Sequence, residues 1–381
     1  MRRPSFPSTT IGPSPFSPET DPPTMSPTPP TILITGLNGY IAAHTALRFL
    51  SAGYSVRGTV RSLASPNTRL VQHALSLSPN YNPNLLSVVE VPDITAPGAF
   101  DSAMQDVQAV AHLASPVSMN PTSVRDMMDA SFKGTASLLQ SCLSANGVLK
   151  SVVYMSSISA VYSPKPGRLG EHVYSEKDWN NEAEEQVQRE GDNTPGYVVY
   201  QASKAAAERE FWEFGKREEG LKGVGMSALC PAPTLGPPLH LPEPIGSLSM
   251  RAKDVYDILN GGEAPPFNTI RGTFVDVRDV AELVFRAVER DLRGEGEVVR
   301  ERYVVVGGQR ASPRRIVEVL KQGLYDKATE RMRPIDGERV PESEFARFEV
   351  SKARELLGRE WVGFEESVLD TARVFLKSRT L

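Results

Sequence analysis

The most constraining feature of the chain is an apolar run at residues 31–35 (TILIT) that passes directly into Gly36-Leu37-Asn38-Gly39-Tyr40-Ile41-Ala42. Ile41, Thr45, Phe49 and Leu50 then recur at helical spacing until Gly53 stops them. Strand, glycine turn and helix therefore follow without a gap. In that context Gly36 permits a tight turn, Gly39 lets backbone approach a pyrophosphate, and small Ala42 lets the helix lie close to the strand. Free amides at the helix start would meet the anion, so Gly36, Asn38, Gly39, Tyr40 and Ile41 are the candidate phosphate contacts.

Further short apolar segments at residues 55–60, 86–91, 109–113, 151–155 and 225–229 read as strands, with helical patterns at 126–144 and 200–216. Alternation of this kind predicts an α/β fold, a Rossmann-type doubly wound parallel sheet with helices on both faces and ligands beyond the carboxyl ends of the strands. After Pro231 the texture changes: Pro and Gly are dense to residue 266, and no long helix is expected before Val280. A strand at 303–306 and helices at 313–322 and 366–377 follow. Residues 31–230 are thus expected to form mainly the nucleotide-binding core. Residues 231–381 are expected to form mainly a smaller substrate-binding lobe that returns some elements to the sheet.

Ten of the 31 prolines fall in residues 1–30, together with ten Ser or Thr, which predicts a disordered tail. Over the whole chain, 42 Lys plus Arg balance 46 Asp plus Glu without a basic run, so nucleic acid is not an expected partner. No apolar stretch approaches a membrane span and no secretory core is present, which points to a cytoplasmic protein without a membrane partner. Cys142 and Cys230 lie far apart, as suits small buried thiols better than a disulfide or a metal site. Monomer and homodimer both remain open.

Chemistry concentrates at the strand ends. Where an NAD-specific fold places an acid after the second strand, this chain has Arg57 and Arg61, whose guanidinium forks suit a 2′-phosphate and so favour NADPH. Asp93, followed by Ile94, could accept from an adenine amino group or could cap a helix. Ala114 and Ser115 end the fourth strand along the cofactor path, while His112 reads as a packed strand residue. Tyr200 and Lys204 open a helix four residues apart, on one face, where the ammonium can favour the tyrosinate. Ser156 and Ser157 end the fifth strand, where a hydroxyl would face the same crevice.

The TGLNGYIA turn, VRGTVRS, the Asp93-Ile94 pair, KGT at 133–135, YMSSISAVY at 154–162, YQASK, CPAPTLGPP at 230–238, FVDVRDVA at 274–281 and SKARELLG at 351–358 together resemble the extended short-chain dehydrogenase/reductase family. Within it they are similar to the branch of dihydroflavonol 4-reductases and fungal methylglyoxal and carbonyl reductases. The resemblance implies that Ser157 orients a carbonyl, Tyr200 donates a proton, and Lys204 binds the nicotinamide ribose and lowers the Tyr200 pKa. It also implies that Pro231 belongs to the turn beside the nicotinamide. The expected function is NADPH-dependent reduction of a small-molecule ketone or aldehyde by hydride from nicotinamide C4. Two alternatives predict different marks: a nucleotide-sugar epimerase or dehydratase with tightly held NAD needs an acid near Arg61, and a non-catalytic dinucleotide sensor would have lost Tyr200 or Lys204.

Overall fold

The computed structural model describes residues 29–79, 81–115, 123–145, 147–163, 172–262, 272–294, 296–309, 311–324, 330–333 and 345–378. Of the tail expected to be disordered over residues 1–30, residues 1–28 lie outside the described residues, while the Pro30 carbonyl accepts from the Ser55 amide at 3.1 Å. Pro116 and residues 164–171 of the charged stretch before Tyr200 also lie outside the described residues.

In chain order the first half forms β1 (Thr31–Ile34), α1 (Tyr40–Ser51), β2 (Ser55–Val60), α2 (Pro66–Ser76), β3 (Leu86–Glu90), β4 (Ala109–His112), α3 (Val124–Cys142), β5 (Ser151–Met155), β6 (Val173–Tyr174), α4 (Asn181–Glu190) and α5 (Gly196–Arg217). The second half forms β7 (Gly225–Pro231), β8 (Thr234–Leu235), α6 (Met250–Leu259), β9 (Thr273–Asp276), α7 (Val277–Arg293), β10 (Arg300–Val305), β11 (Gly308–Gln309), α8 (Pro313–Gly323), β12 (Arg347–Phe348), α9 (Ser351–Leu357) and α10 (Phe364–Ser378).

Seven strands make one sheet in the order β10-β7-β5-β4-β1-β2-β3, with every pair parallel. Its inner strands β1, β4, β5 and β7 are buried on both faces because helices cover both. Ile32 and Ile34 join one buried cluster with Phe49 of α1 and Leu283 of α7, while Leu33, between them, joins another with Leu138 of α3 and Phe211 of α5. The chain leaves β1 toward β2 on one side and returns to β4 on the other. The crevice at this reversal, beyond the carboxyl ends, is where such sheets bind ligands. α6, α8 and α10 share a separate cluster that includes Val255, Ile316 and Phe375, next to a three-stranded sheet in the order β11-β9-β8. β10 and α7 come from the second half of the chain yet complete the main sheet and cover it.

The structure corrects the expected helix pattern. α6 occupies a region where no long helix was expected, and Arg251 explains why its periodicity is broken. This residue is wholly buried on the packed face and donates to the carbonyls of Thr273 at 3.2 Å and Ala311 at 2.9 Å. α4 buries only Ala183, so it too lacks an apolar stripe. α5 begins at Gly196, with Pro195 as its N-cap, which puts Tyr200 a turn inside the helix and not at its start.

Candidate active site

The glycine turn has the geometry that its sequence requires. Gly36 adopts φ +71°, its amide donates to Thr59 Oγ1 at 3.3 Å, and a Cβ there would stand 3.2 Å from the Ala114 Cβ. Gly39 caps α1 with its amide donating to the Gly36 carbonyl at 2.8 Å, and a Cβ would come within 3.0 Å of that oxygen. Among the described residues no side chain caps α1, and its first turn holds no acidic residue, which suits the positive end of the helix to an anion. Asn38 is half-buried in this turn and Ile41 packs against the core. The Tyr40 hydroxyl is committed elsewhere: it donates to the Gly236 carbonyl at 2.6 Å and ties the turn to the segment after β8.

Arg57 and Arg61 separate. Arg57 lies within β2, opposite Leu33, and its guanidinium donates to the carbonyls of Ala103 at 2.8 Å and Gln105 at 2.6 Å. Those residues precede β4, at the amino ends of the strands. Arg57 is therefore corrected from a phosphate candidate to a group that anchors the loop entering β4. Arg61 follows β2 at the carboxyl end and is exposed. Its loop is shaped by the Leu63 amide donating to Glu90 at 2.7 Å and the Thr68 hydroxyl donating to the Ser62 carbonyl at 2.9 Å.

Asp93 uses one carboxylate oxygen to accept from the Thr95 amide at 2.8 Å and the Thr95 hydroxyl at 2.7 Å. These bonds, with the charge of Arg61 contributing, hold its pKa below the usual range. Ile94 packs on α3, where a Cβ on Gly134 would meet it at 3.2 Å.

Thr35, the first residue of the glycine motif, joins the turn to β4. Its Oγ1 accepts from the Leu113 and Ala114 amides, both at 2.9 Å, and lies 2.9 Å from His112 Nδ1. A hydroxyl already accepting two bonds donates its proton, so His112 accepts at Nδ1 and is neutral. Burial takes the His112 pKa down to about 3, which agrees with a packed imidazole.

Three elements meet in the crevice. Ser157, nearly buried, follows β5 and accepts from the Ser159 amide at 3.1 Å. The Tyr200 side chain on α5 faces it closely enough for Ser157 to act on the phenol. One turn later Lys204, also buried, donates from Nζ to Ser115 Oγ at 3.0 Å, and Nζ stands 6.0 Å from the centre of the Tyr200 ring. Burial raises the Tyr200 pKa while Ser157 acts in the opposite sense, and burial lowers Lys204 to about 8. In this state the ammonium is engaged by Ser115, not by the phenol. Pro231 closes β7, buried beside Val305.

A glycine-turn dinucleotide fold with Ser, Tyr and Lys at the strand ends defines the class, and the comparisons define the family. The chain belongs to the NAD dependent epimerase/dehydratase family, which it matches over residues 32–305. It is 32% identical over 342 residues to a ketoreductase of Aspergillus niger, spanning 86% of this chain and 92% of that protein. Among solved structures, Gre2 of Candida albicans in complex with NADPH is similar at a TM-score of 0.76 and 27% identity, covering 92% of this chain and 99% of that one. Yeast methylglyoxal/isovaleraldehyde reductase Gre2, complexed with NADPH, shares the fold at a TM-score of 0.76 and 23% identity, covering 92% of this chain and 99% of that one.

Proposed function

We propose that this protein is an NADPH-dependent reductase of aldehydes or ketones, with Ser157, Tyr200 and Lys204 as its catalytic residues. The observation that carries the reading is the meeting of Ser157 and Tyr200 beside buried Lys204, at the end of the sheet that also carries the amino terminus of α1. The ketoreductase and Gre2 likenesses support the same chemistry and the same cofactor.

NADPH, when bound, supplies the hydride that reduces the carbonyl carbon. The amino end of α1 would hold its pyrophosphate, Arg61 its 2′-phosphate, Asp93 and Ile94 its adenine, Lys204 with Ser115 and Ala114 its nicotinamide ribose side, and Pro231 the nicotinamide turn. Ser157 and Tyr200 face each other, so a carbonyl oxygen placed against both hydroxyls receives two donors. Burial keeps the Tyr200 proton in place, and Tyr200 delivers it to the alkoxide oxygen as general acid. Lys204, one turn away, stabilises the phenolate left behind. The lobe built on α6, α8 and α10 selects the substrate.

An NADPH-oxidation screen over dicarbonyls, ketoesters, aromatic aldehydes and flavanonols, run in parallel with NADH, tests the reading. Turnover of at least one class with NADPH preferred is expected. Tyr200→Phe retaining the wild-type rate on an accepted carbonyl refutes the mechanism.

A further inference from the structure

Behind the Ser157–Tyr200–Lys204 group lies a buried ion pair that the proposed reaction does not itself use. Glu208 stands on α5 one turn beyond Lys204 and is wholly buried. Its carboxylate accepts from Ser156 Oγ at 2.6 Å, Trp212 Nε1 at 3.2 Å, Cys230 Sγ at 3.6 Å, and Arg302 Nε and Nη2 at 2.6 and 3.0 Å. Arg302, on β10 and nearly as buried, also donates to the carbonyls of Ala160 at 3.4 Å, Glu176 at 3.1 Å and Asp178. Its guanidinium lies 3.9 Å over the Trp179 ring.

Two charges taken out of water cost several kcal/mol, and apolar residues of similar volume are often at least as stable, so stability alone does not account for the pair. Its contacts suggest geometry. One carboxylate reaches the residue before Ser157, the residue before Pro231, and the helix that carries Tyr200 and Lys204. Arg302 reaches the carbonyl of Ala160, the last residue of the 3-10 turn that Ser157 caps. Ser157 is thus fixed from both sides in sequence, while its own hydroxyl must stay within hydrogen-bond reach of Tyr200. Small displacements of such a pair are costly to catalysis.

We propose that Glu208, held by Arg302, is a positioning residue that locks the ends of β5 and β7 against α5 and so keeps Ser157 in register with Tyr200. The inference rests on the catalytic roles proposed above. The same carboxylate acts against the fall that burial imposes on the Lys204 pKa.

The test uses the full chain with NADPH and the carbonyl that wild type reduces fastest, with Tyr200→Phe as control. Glu208→Gln/Arg302→Met removes both charges together and leaves no unpaired buried guanidinium. Ser156→Ala cuts only the link to β5, and Ser156→Thr restores its hydroxyl. The double variant is expected to bind NADPH, followed by nucleotide fluorescence, within about twofold of wild type, with carbonyl KM little changed and kcat reduced about tenfold or more. Ser156→Ala is expected to lose several-fold in kcat with NADPH affinity unchanged and Tm somewhat lowered, because a buried carboxylate loses a donor, and Ser156→Thr to recover kcat. Wild-type kcat in the double variant or in Ser156→Ala, with Tyr200→Phe inactive, overturns this inference and leaves the function standing. A fully active Tyr200→Phe overturns both.

Discussion

Lys204 donates to Ser115 at 3.0 Å while its ammonium stands 6.0 Å from the centre of the Tyr200 ring. The cation that the chemistry needs is therefore held by the segment after β4, on the side of the crevice expected to carry the nicotinamide ribose. Burial sets its pKa near 8, below the ordinary lysine value.

The first prediction follows from that value. Free protein loses the Lys204 charge above about pH 8, whereas an anionic dinucleotide favours the charged form and raises the pKa in the complex. Affinity for NADPH should fall as pH rises above 8, approaching about tenfold per unit until the pKa of the bound form is reached. Fluorescence titrations from pH 7 to 9.5 measure it, and Lys204→Met should flatten the profile. In the absence of ligand the sign for stability is opposite: the unfolded chain binds the extra proton above pH 8, so the free protein gains stability from there toward the ordinary lysine range.

Arg61 and Arg57 give a paired prediction. Arg61→Ala should weaken NADPH binding by about tenfold and leave NADH nearly unaffected, as loss of a charge-assisted phosphate contact requires. Arg57→Ala should leave the NADPH-to-NADH ratio unchanged. It should lower stability by about 1–3 kcal/mol, because the carbonyls of Ala103 and Gln105 lose a charged donor. Equal cofactor ratios in wild type and Arg61→Ala would remove Arg61 from the phosphate site.

The contrast between these arginines shows what a sequence can carry. Strand-turn-helix order, the parallel sheet and the placing of Tyr200 and Lys204 on one helix face follow from periodicity and local spacing, and all appear in the structure; Ser157 is singled out of its serine pair by the family resemblance. Arg57 and Arg61 look alike in sequence, and only the register of β2 shows that one points to the amino ends of the strands. Glu208 and Arg302 meet across 94 residues, and Thr35 reaches His112 across 77, so no local pattern marks either pair. α6 was hidden because the large side chain on its buried face is Arg251, whose partners include Asp254 on the same helix and carbonyls from distant segments.

His112 supplies a test in acid. Its pKa is about 3 in the fold against an ordinary imidazole value when unfolded, so below about pH 6.5 the unfolded chain binds a proton that the native state refuses. The stability contributed by neutral His112 is present above that pH and lost as pH falls. His112→Asn keeps an acceptor for Thr35 but does not titrate. Urea unfolding should show the stability of wild type relative to this variant shrinking by about 1.4 kcal/mol per pH unit between pH 6 and 4. A constant difference would mean that His112 protonates within the native fold.

Gly36 and Gly53 separate backbone strain from function. Both have positive φ, +71° and +83°, so alanine at either position costs about 1 kcal/mol in conformation alone. A Cβ at Gly53 meets nothing within 4 Å, whereas one at Gly36 faces the Ala114 Cβ at 3.2 Å and its Cα at 3.3 Å. Ala114 cannot withdraw freely, since Thr35 holds its amide and that of Leu113. Gly36→Ala should therefore push the turn away from β4 and displace the amides at the start of α1. The expected result is an NADPH Kd raised about tenfold or more beside a stability loss of about 2 kcal/mol, with Gly53→Ala losing about half that stability and none of the affinity. Equal NADPH affinity in the two variants would show that the Gly36 turn does not position the phosphate.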